Sequence, residues 1–202
     1  MGQLRIIGGR WKRTPIAVAN GEQLRPTPDR VRETLFNWLG QSLDDWRCLD
    51  LFAGSGALSF EAASRGAAHV VAIDRDPKSV AAMQALSKKL NAHDCLRIER
   101  AQAEDWLARN RETFDLIFMD PPFGQGLVAA VLPQAVAALA PHGRLYIEAE
   151  QACRPDWLAD AGLTLLRADK AGMVHYHLCS RTVRPESAQG EHDVTSGISG
   201  NL

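Results

Sequence analysis

At 202 residues the chain is long enough for one domain with extensions, since compact domains run to about 150 residues, and it excludes a fusion of two enzymes. Hydrophobic side chains make up 46% and charged ones 23%, so a sizeable core is available. The 23 basic and 24 acidic groups nearly cancel, which excludes a polycation held on nucleic acid by bulk charge alone.

The first elements carry a local charge. RIIGGRW and PIAVA are short β-prone runs separated by Lys12, Arg13 and Thr14, a pattern that predicts a hairpin. In LRPTPDRVRETLFNWLG, Thr27 can cap, Pro28 suits the first helical position and Asp29 favours the positive end of the dipole. A helix over Pro28 to Leu39 follows, with Val31, Leu35, Trp38 and Leu39 as its apolar stripe. Residues 1–34 hold Arg5, Arg10, Lys12, Arg13, Arg25, Arg30 and Arg32 against Glu22, Asp29 and Glu33, a net +4 that leaves −5 for the remainder. A basic arm on an acidic body points to an anion such as a phosphate backbone, beside the plainer reading of a solvated edge.

From Arg47 onward, short apolar runs alternate with helical patterns. CLDLFA precedes a helix to Arg65, HVVAID a helix from Pro77 to Leu90, CLRIER the helix AEDWLARN, and FDLIFMD a helix from Leu127 to Ala140. RLYIEAE, a short helix over Pro155 to Asp160, TLLRA and MVHYHLCS complete the body. The last two runs are joined only by DKAG, which suits an antiparallel pair because a parallel crossover needs a dozen or more residues. The fold class expected is α/β, a doubly wound, mostly parallel sheet with an antiparallel edge hairpin. After Thr182 the chain is polar and rich in Gly and Ser, a tail expected to be disordered.

Two segments carry the chemistry. In LDLFAGSGALSFEAASRGA a buried strand ends at Phe52, and Gly54, Ser55 and Gly56 form a bend that lets a ligand approach the backbone before a helix starts near Ala57. Asp50 lies on that strand, and Asp74 ends the next one, where a carboxylate can accept both ribose hydroxyls. Arg75 follows it, while Asp76 is the better placed cap for the helix at Pro77. A dinucleotide dehydrogenase needs a third small residue three positions after Gly56, where this chain has Ser59. Beyond the third strand, Gln102 and Ala103 stand where an adenine edge can be read, although a plain helix start looks the same. FDLIFMDPPFGQG then places Asp120, Pro121, Pro122 and Phe123 past the fourth strand, at the same carboxyl edge. The prolines stiffen the backbone and donate nothing, so the Asp120 carboxylate and the Pro121 carbonyl form a rigid acceptor array suited to a planar NH2 group. Phe123 offers a face on which a base can stack.

LDLFAGSGA, the Asp74 strand tip and DPPF together resemble an S-adenosylmethionine-dependent methyltransferase acting on an exocyclic amino nitrogen. RIIGGRWKR, RPTPDRVRETLFNWL and LLRADKAGMVHYHL narrow the likeness to the bacterial 16S ribosomal RNA guanine-N(2) methyltransferase family, RsmD type, over about residues 4 to 181. The resemblance implies a Rossmann-like sheet of seven strands with the last antiparallel (residues 41–182), preceded by the basic hairpin and RPT helix (residues 1–40) and followed by a tail (residues 183–202). It implies a cofactor pocket built from Thr27, Asp50, Phe52, Gly54, Ser55, Gly56, Asp74, Arg75, Gln102, Ala103 and Asp120, closed from one side by the RPT helix. The methyl acceptor would be a guanine of ribosomal RNA in an assembling small subunit, gripped through Arg5, Arg10, Trp11, Lys12, Arg13, Arg25 and Arg30.

The alternatives are an adenine-N(6) nucleic-acid methyltransferase, a nicotinamide dehydrogenase and a non-catalytic RNA-binding protein. Cys48, Cys95, Cys153 and Cys179 lack a CxxC pair, and His175 and His177 alone make no site, so no metal is expected. Trp38, Trp46, Trp106 and Trp157 read as core or rim packing. The start MGQLRIIGGRWKR lacks a signal-peptide core, and the apolar stretch LVAAVLPQAVAALA is interrupted, so a cytoplasmic monomer without membrane contact is expected.

Overall fold

The computed structural model describes residues 4–17 and 29–182. Thr27, Arg25, Pro28, the distal part of PIAVA and the tail lie outside the described residues. The body alternates β1 (Arg47–Asp50), α2 (Ala57–Ser64), β2 (His69–Asp74), α3 (Pro77–Leu90), β3 (Leu96–Arg100), α4 (Ala103–Arg109), β4 (Phe114–Met119) and α5 (Leu127–Ala137). It ends with β5 (Leu139–Ala149), α6 (Pro155–Asp160), β6 (Leu163–Ala171) and β7 (Val174–Arg181), and α1 (Asp29–Leu39) precedes it. The seven strands form one sheet in the order β3-β2-β1-β4-β5-β7-β6, as the doubly wound pattern predicts. Only the pairings of β7, with β5 and β6, are antiparallel.

Because side chains alternate along a strand, each central strand feeds two cores. Cys48, Val70, Ala72, Leu116 and Phe118 face α1, α2 and α3, and the arm residues Leu4, Ile6 and Ile16 join that layer. Leu49, Val71, Ile73, Ile117 and Met119 face α4, α5 and α6 on the other side. The tryptophans serve this packing: Trp38 stacks on Tyr176 at 5.4 Å, and the Trp106 indole donates to Glu99 at 3.0 Å. All four cysteines are free, and burial pushes the Cys153 thiol up to about 11 and the Cys179 thiol to about 12. Among the described residues no helix is long and apolar enough to cross a membrane.

Three boundaries differ from the sequence pattern. The α5 helix stops at Ala137 rather than Ala140, because Leu139 already pairs with Phe114 and a bulge then carries the register to Leu116↔Arg144. Asp169, Lys170 and Ala171 belong to β6, so the hairpin turn is Gly172–Met173, with Gly172 at φ +60 as a tight turn requires. Among the described residues the N-terminal hairpin shows one bridge, Arg5↔Pro15, flanked by the Ile6 N to Thr14 O bond at 2.9 Å and the Ile16 N to Leu4 O bond at 2.9 Å.

The arm forms so little ladder because its amides bond to the body instead. Ile7 N and Gly8 N donate to the two carboxylate oxygens of Glu61 at 2.7 and 2.8 Å, and Trp11 N donates to Ser64 Oγ at 2.9 Å. The approach is so close that a Cβ on Gly9, at φ +70, would sit 1.9 Å from the Ser64 carbonyl oxygen. Glu61 has no solvent exposure; Arg65 Nε donates to it at 2.7 Å, and the buried Arg32 lies 3.9 Å away while bonding to the Arg5 carbonyl at 2.9 Å. Arg32 is therefore an internal cation that ties α1 and the arm to α2. Removing a partner from a buried charge cluster costs about 3–5 kcal/mol. Glu61→Ala should lower the unfolding free energy in urea by about that amount and speed tryptic cleavage at Lys12 and Arg13; a loss below about 1 kcal/mol would show that the arm is held elsewhere.

Candidate functional site

In the strand order, β1 and β4 are neighbours whose connecting crossovers lead to opposite sides of the sheet. Loops therefore part at their carboxyl ends and leave a crevice. A cavity of about 780 Å³ opens there, lined from β1 by Asp50, Phe52, Gly54 and Ser55, from β2 by Asp74 and Arg75, and from the β3–α4 turn by Gln102 and Ala103. Asp120, Pro121, Pro122 and Phe123 line the same cavity from the end of β4. Sequence reasoning thus named residues from four separate strand ends that meet around one space.

The bend after β1 is rigid. Gly54 adopts φ +51 and its amide donates to Asp74 Oδ2 at 2.7 Å, while Asp76 N donates to Asp74 Oδ1 at 2.8 Å. Both Asp74 oxygens are thereby fixed in direction, and a carboxylate retains further lone pairs for two vicinal hydroxyls. The helix-capping role falls to Asp76, which accepts from Ser79 N at 2.9 Å. Gly56 stands behind the cavity wall: at φ +78, a Cβ there would meet Met83 and Phe60 at 2.9 Å, so it admits helix packing rather than a ligand.

Asp50 is buried beneath the bend and accepts from Ser59 Oγ at 2.6 Å. Burial pushes its carboxyl up to about 7, opposed by the Ser59 bond and a backbone bond near Phe52. Ser59, which entered the sequence reading only as a mismatch to the dehydrogenase pattern, is therefore the residue that holds Asp50. At the reactive end Pro121 is buried while Pro122 and Phe123 are exposed, so the loop is anchored at its base and presents an aromatic face outward, Phe123 being 38% exposed. A second cavity of about 540 Å³ shares Pro121, Pro122 and Phe123 and is bounded by Glu150, Arg154 and Trp157.

Sequence reasoning missed Glu148, Glu104, Gln125 and the hairpin tip at Met173, all of which line the larger cavity. Glu148 had a signal, an acidic residue inside the otherwise apolar run LYIEA. The hairpin tip had none, since its reach over the site follows from how β7 inserts between β5 and β6.

The arm residues separate into two kinds. Lys12, Arg13 and Arg10 are exposed, with the Arg10 guanidinium 4.2 Å above the Trp11 ring and bonded to Cys95 Sγ at 2.9 Å. Trp11 itself packs against the core. Arg5 is exposed and 3.8 Å from Asp29, and Arg30 is exposed on α1. The closing role implied for the RPT helix finds no support in its described part, since no residue of α1 lines the cavity, and Arg25, Thr27 and Pro28 lie outside the described residues. His177 Nε2 accepts from Cys153 N at 3.1 Å, and burial lowers its pKa, the behaviour of an ordinary strand residue. Among the described residues no three His, Cys, Asp or Glu side chains are grouped to hold a metal.

The family model described as Conserved hypothetical protein 95 matches residues 4–180. Ribosomal RNA small subunit methyltransferase D of Escherichia coli K12 is 41% identical over 197 residues, covering 95% of this chain and 94% of the relative. The protein of the same name from Haemophilus influenzae is 39% identical over 189 residues, covering 88% and 93%. A solved Escherichia coli structure described as a methyltransferase superposes with a TM-score of 0.79 at 39% identity, covering 91% of this chain and all of that one. A Haemophilus influenzae structure described as a methylase gives 0.71 at 31% identity, covering 90% and 99%. With its glycine bend, its Asp74 tip and its DPPF corner around one cavity, the chain belongs to the bacterial ribosomal RNA small subunit methyltransferase D family, RsmD type.

Proposed function

We propose that the chain transfers a methyl group from S-adenosylmethionine to the exocyclic 2-amino group of one guanine in small-subunit ribosomal RNA. The observation that carries this reading is the opening of the Asp120 to Phe123 corner onto the same cavity as the Gly54 bend and Asp74. The names of its relatives supply the class of RNA.

The residues present fit the cofactor. Asp74, fixed by two amides, suits ribose hydroxyls; Phe52 and Ala103 provide apolar walls for an adenine, with Gln102 at its edge; the Gly54 bend admits the backbone close to the amino-acid end. Asp50 lies beneath that bend, where a cation would favour its ionised form. When bound, S-adenosylmethionine supplies an electrophilic methyl on a positively charged sulfur.

The acceptor nitrogen is a poor nucleophile because its lone pair is delocalised into the purine. Asp120 and the Pro121 carbonyl accept its two N–H bonds, turn the lone pair toward the methyl and stabilise the positive charge that develops on nitrogen. The two prolines keep those acceptors from relaxing, and orientation supplies the rest of the rate without a covalent intermediate. The proton leaves from the charged product to Asp120 or to water. Phe123 provides the stacking face for a base displayed in a loop or flipped from a helix.

The exposed Arg10, Lys12 and Arg13, with Arg5 and Arg30, form the basic edge that meets phosphate, so residues 1–40 serve as the RNA grip on the body formed by residues 41–182. The reading takes a single cytoplasmic chain acting on an assembling subunit as the working unit.

Asp120→Ala should reduce methyl transfer at least about 100-fold, the cost of losing one pre-aligned acceptor, while calorimetry finds S-adenosylmethionine affinity within a few-fold of the parent. Parallel loss of both would make Asp120 a structural residue. Replacing Arg10, Lys12 and Arg13 together by alanine should weaken RNA binding and flatten the plot of log K against log salt by about two units. An unchanged slope would remove the arm from the RNA interface.

A further inference from the structure

The proposed chemistry leaves one buried carboxylate at the site unused. Glu148, on β5, is only 3% exposed yet lines the same cavity as Asp120 and Phe123. In the parallel pairing of β4 with β5, Met119 lies opposite Ile147, so Asp120 and Glu148 are the next residues on two adjacent strands. Asp120 lies just past the end of β4, while Glu148 stays within β5, paired with Tyr176 of β7. Glu148 Oε1 accepts from the Tyr146 hydroxyl at 2.7 Å, and Tyr146 is fully buried. Burial first, then the charges of Glu148 and Asp120, keep that hydroxyl protonated far above the usual phenol range, so it is a permanent donor that fixes the direction of the carboxylate. Keeping a carboxyl group at a position only 3% exposed carries a desolvation cost, which a purely structural position could avoid.

The pairing edges of the purines show what such a group can read. Guanine offers two adjacent donors, N1–H and the 2-amino group, whereas purines with an unprotonated N1, adenine among them, put a lone pair at that place. A carboxylate beside Asp120 accepts from the first and repels the second. A carboxylate has roughly four acceptor positions, and the Tyr146 hydroxyl occupies one of them.

We propose that Glu148 is the specificity-determining residue: it accepts N1–H of the target guanine while Asp120 and the Pro121 carbonyl hold the 2-amino group, and Tyr146 orients it. This rests on the guanine reading given above. Glu148 touches the base but not the transferred methyl, so its effect falls on substrate choice.

The test uses the full chain and small-subunit ribosomal RNA ligated to carry either guanine or 2,6-diaminopurine at the mapped target position. Diaminopurine keeps the 2-amino acceptor and presents a lone pair at N1. For the parent enzyme kcat/KM should be at least about 100-fold lower on diaminopurine, as expected for a site built to accept a hydrogen bond. Glu148→Gln is isosteric and its amide can donate to N1; it should shrink that gap below about tenfold, with S-adenosylmethionine affinity within twofold of the parent. Equal use of both RNAs by the parent overturns the proposal, as does a folded E148Q that keeps the full gap. The parent comparison needs no variant, so it decides even if E148Q fails to fold. A parent that methylates guanine without discrimination sinks this proposal alone, whereas a parent that methylates no guanine sinks the guanine reading and this one with it.

Discussion

The parallel pairing of β1 with β4, Asp50 beside Phe118, fixes where chemistry can occur. It makes two strands from different halves of the chain neighbours, and their crossovers leave in opposite directions. The loop after β1 and the loop after β4 cannot fill the space between them. A ligand crevice is thus a consequence of strand order, and the side chains at the strand ends decide its use. Asp50, Asp74 and Asp120 occupy three of those ends, which gives an overall near-neutral protein an acidic floor at one place.

A second constraint acts on the opposite side of α2. Glu61, with no exposure, receives two arm amides and the Arg65 guanidinium and lies beside Arg32. The arm is therefore held by charge and hydrogen bonds at points rather than by a sheet ladder, and its outward side chains remain available. Of the basic residues in the N-terminal segment, Arg32 is spent on this knot, so the charge available to a partner is smaller than composition suggests.

Much of this was legible in the sequence, for physical reasons that differ by element. The alternation of apolar runs with helical periods gave the doubly wound sheet, because strands buried on both faces must be continuously apolar. The glycine bend, Asp74 and DPPF were legible because each needs unusual residues at a fixed distance from a strand end. The arm was read as a hairpin from its β-prone runs, and Glu61, far away in sequence, competed for the amides that a ladder would have used. Local pattern cannot report a partner 53 residues distant. Ser59 and Glu148 were visible as residues but not as functions: one stood out only as a mismatch, the other as a charge in a hydrophobic strand. The Asp50 bond shows what Ser59 holds, and the β4–β5 register sets Glu148 next to the Asp120 strand end.

At the centre stand a stiff acceptor corner that opens onto the crevice and the proposal that the group it accepts is an amino group of ribosomal RNA. Mass spectrometry of digested small-subunit RNA, from cells with and without this chain, addresses both together. The account predicts that a single N2-methylguanine disappears when the chain is absent and returns when it is restored. An unchanged modification pattern, or the loss of N6-methyladenine instead, would contradict it.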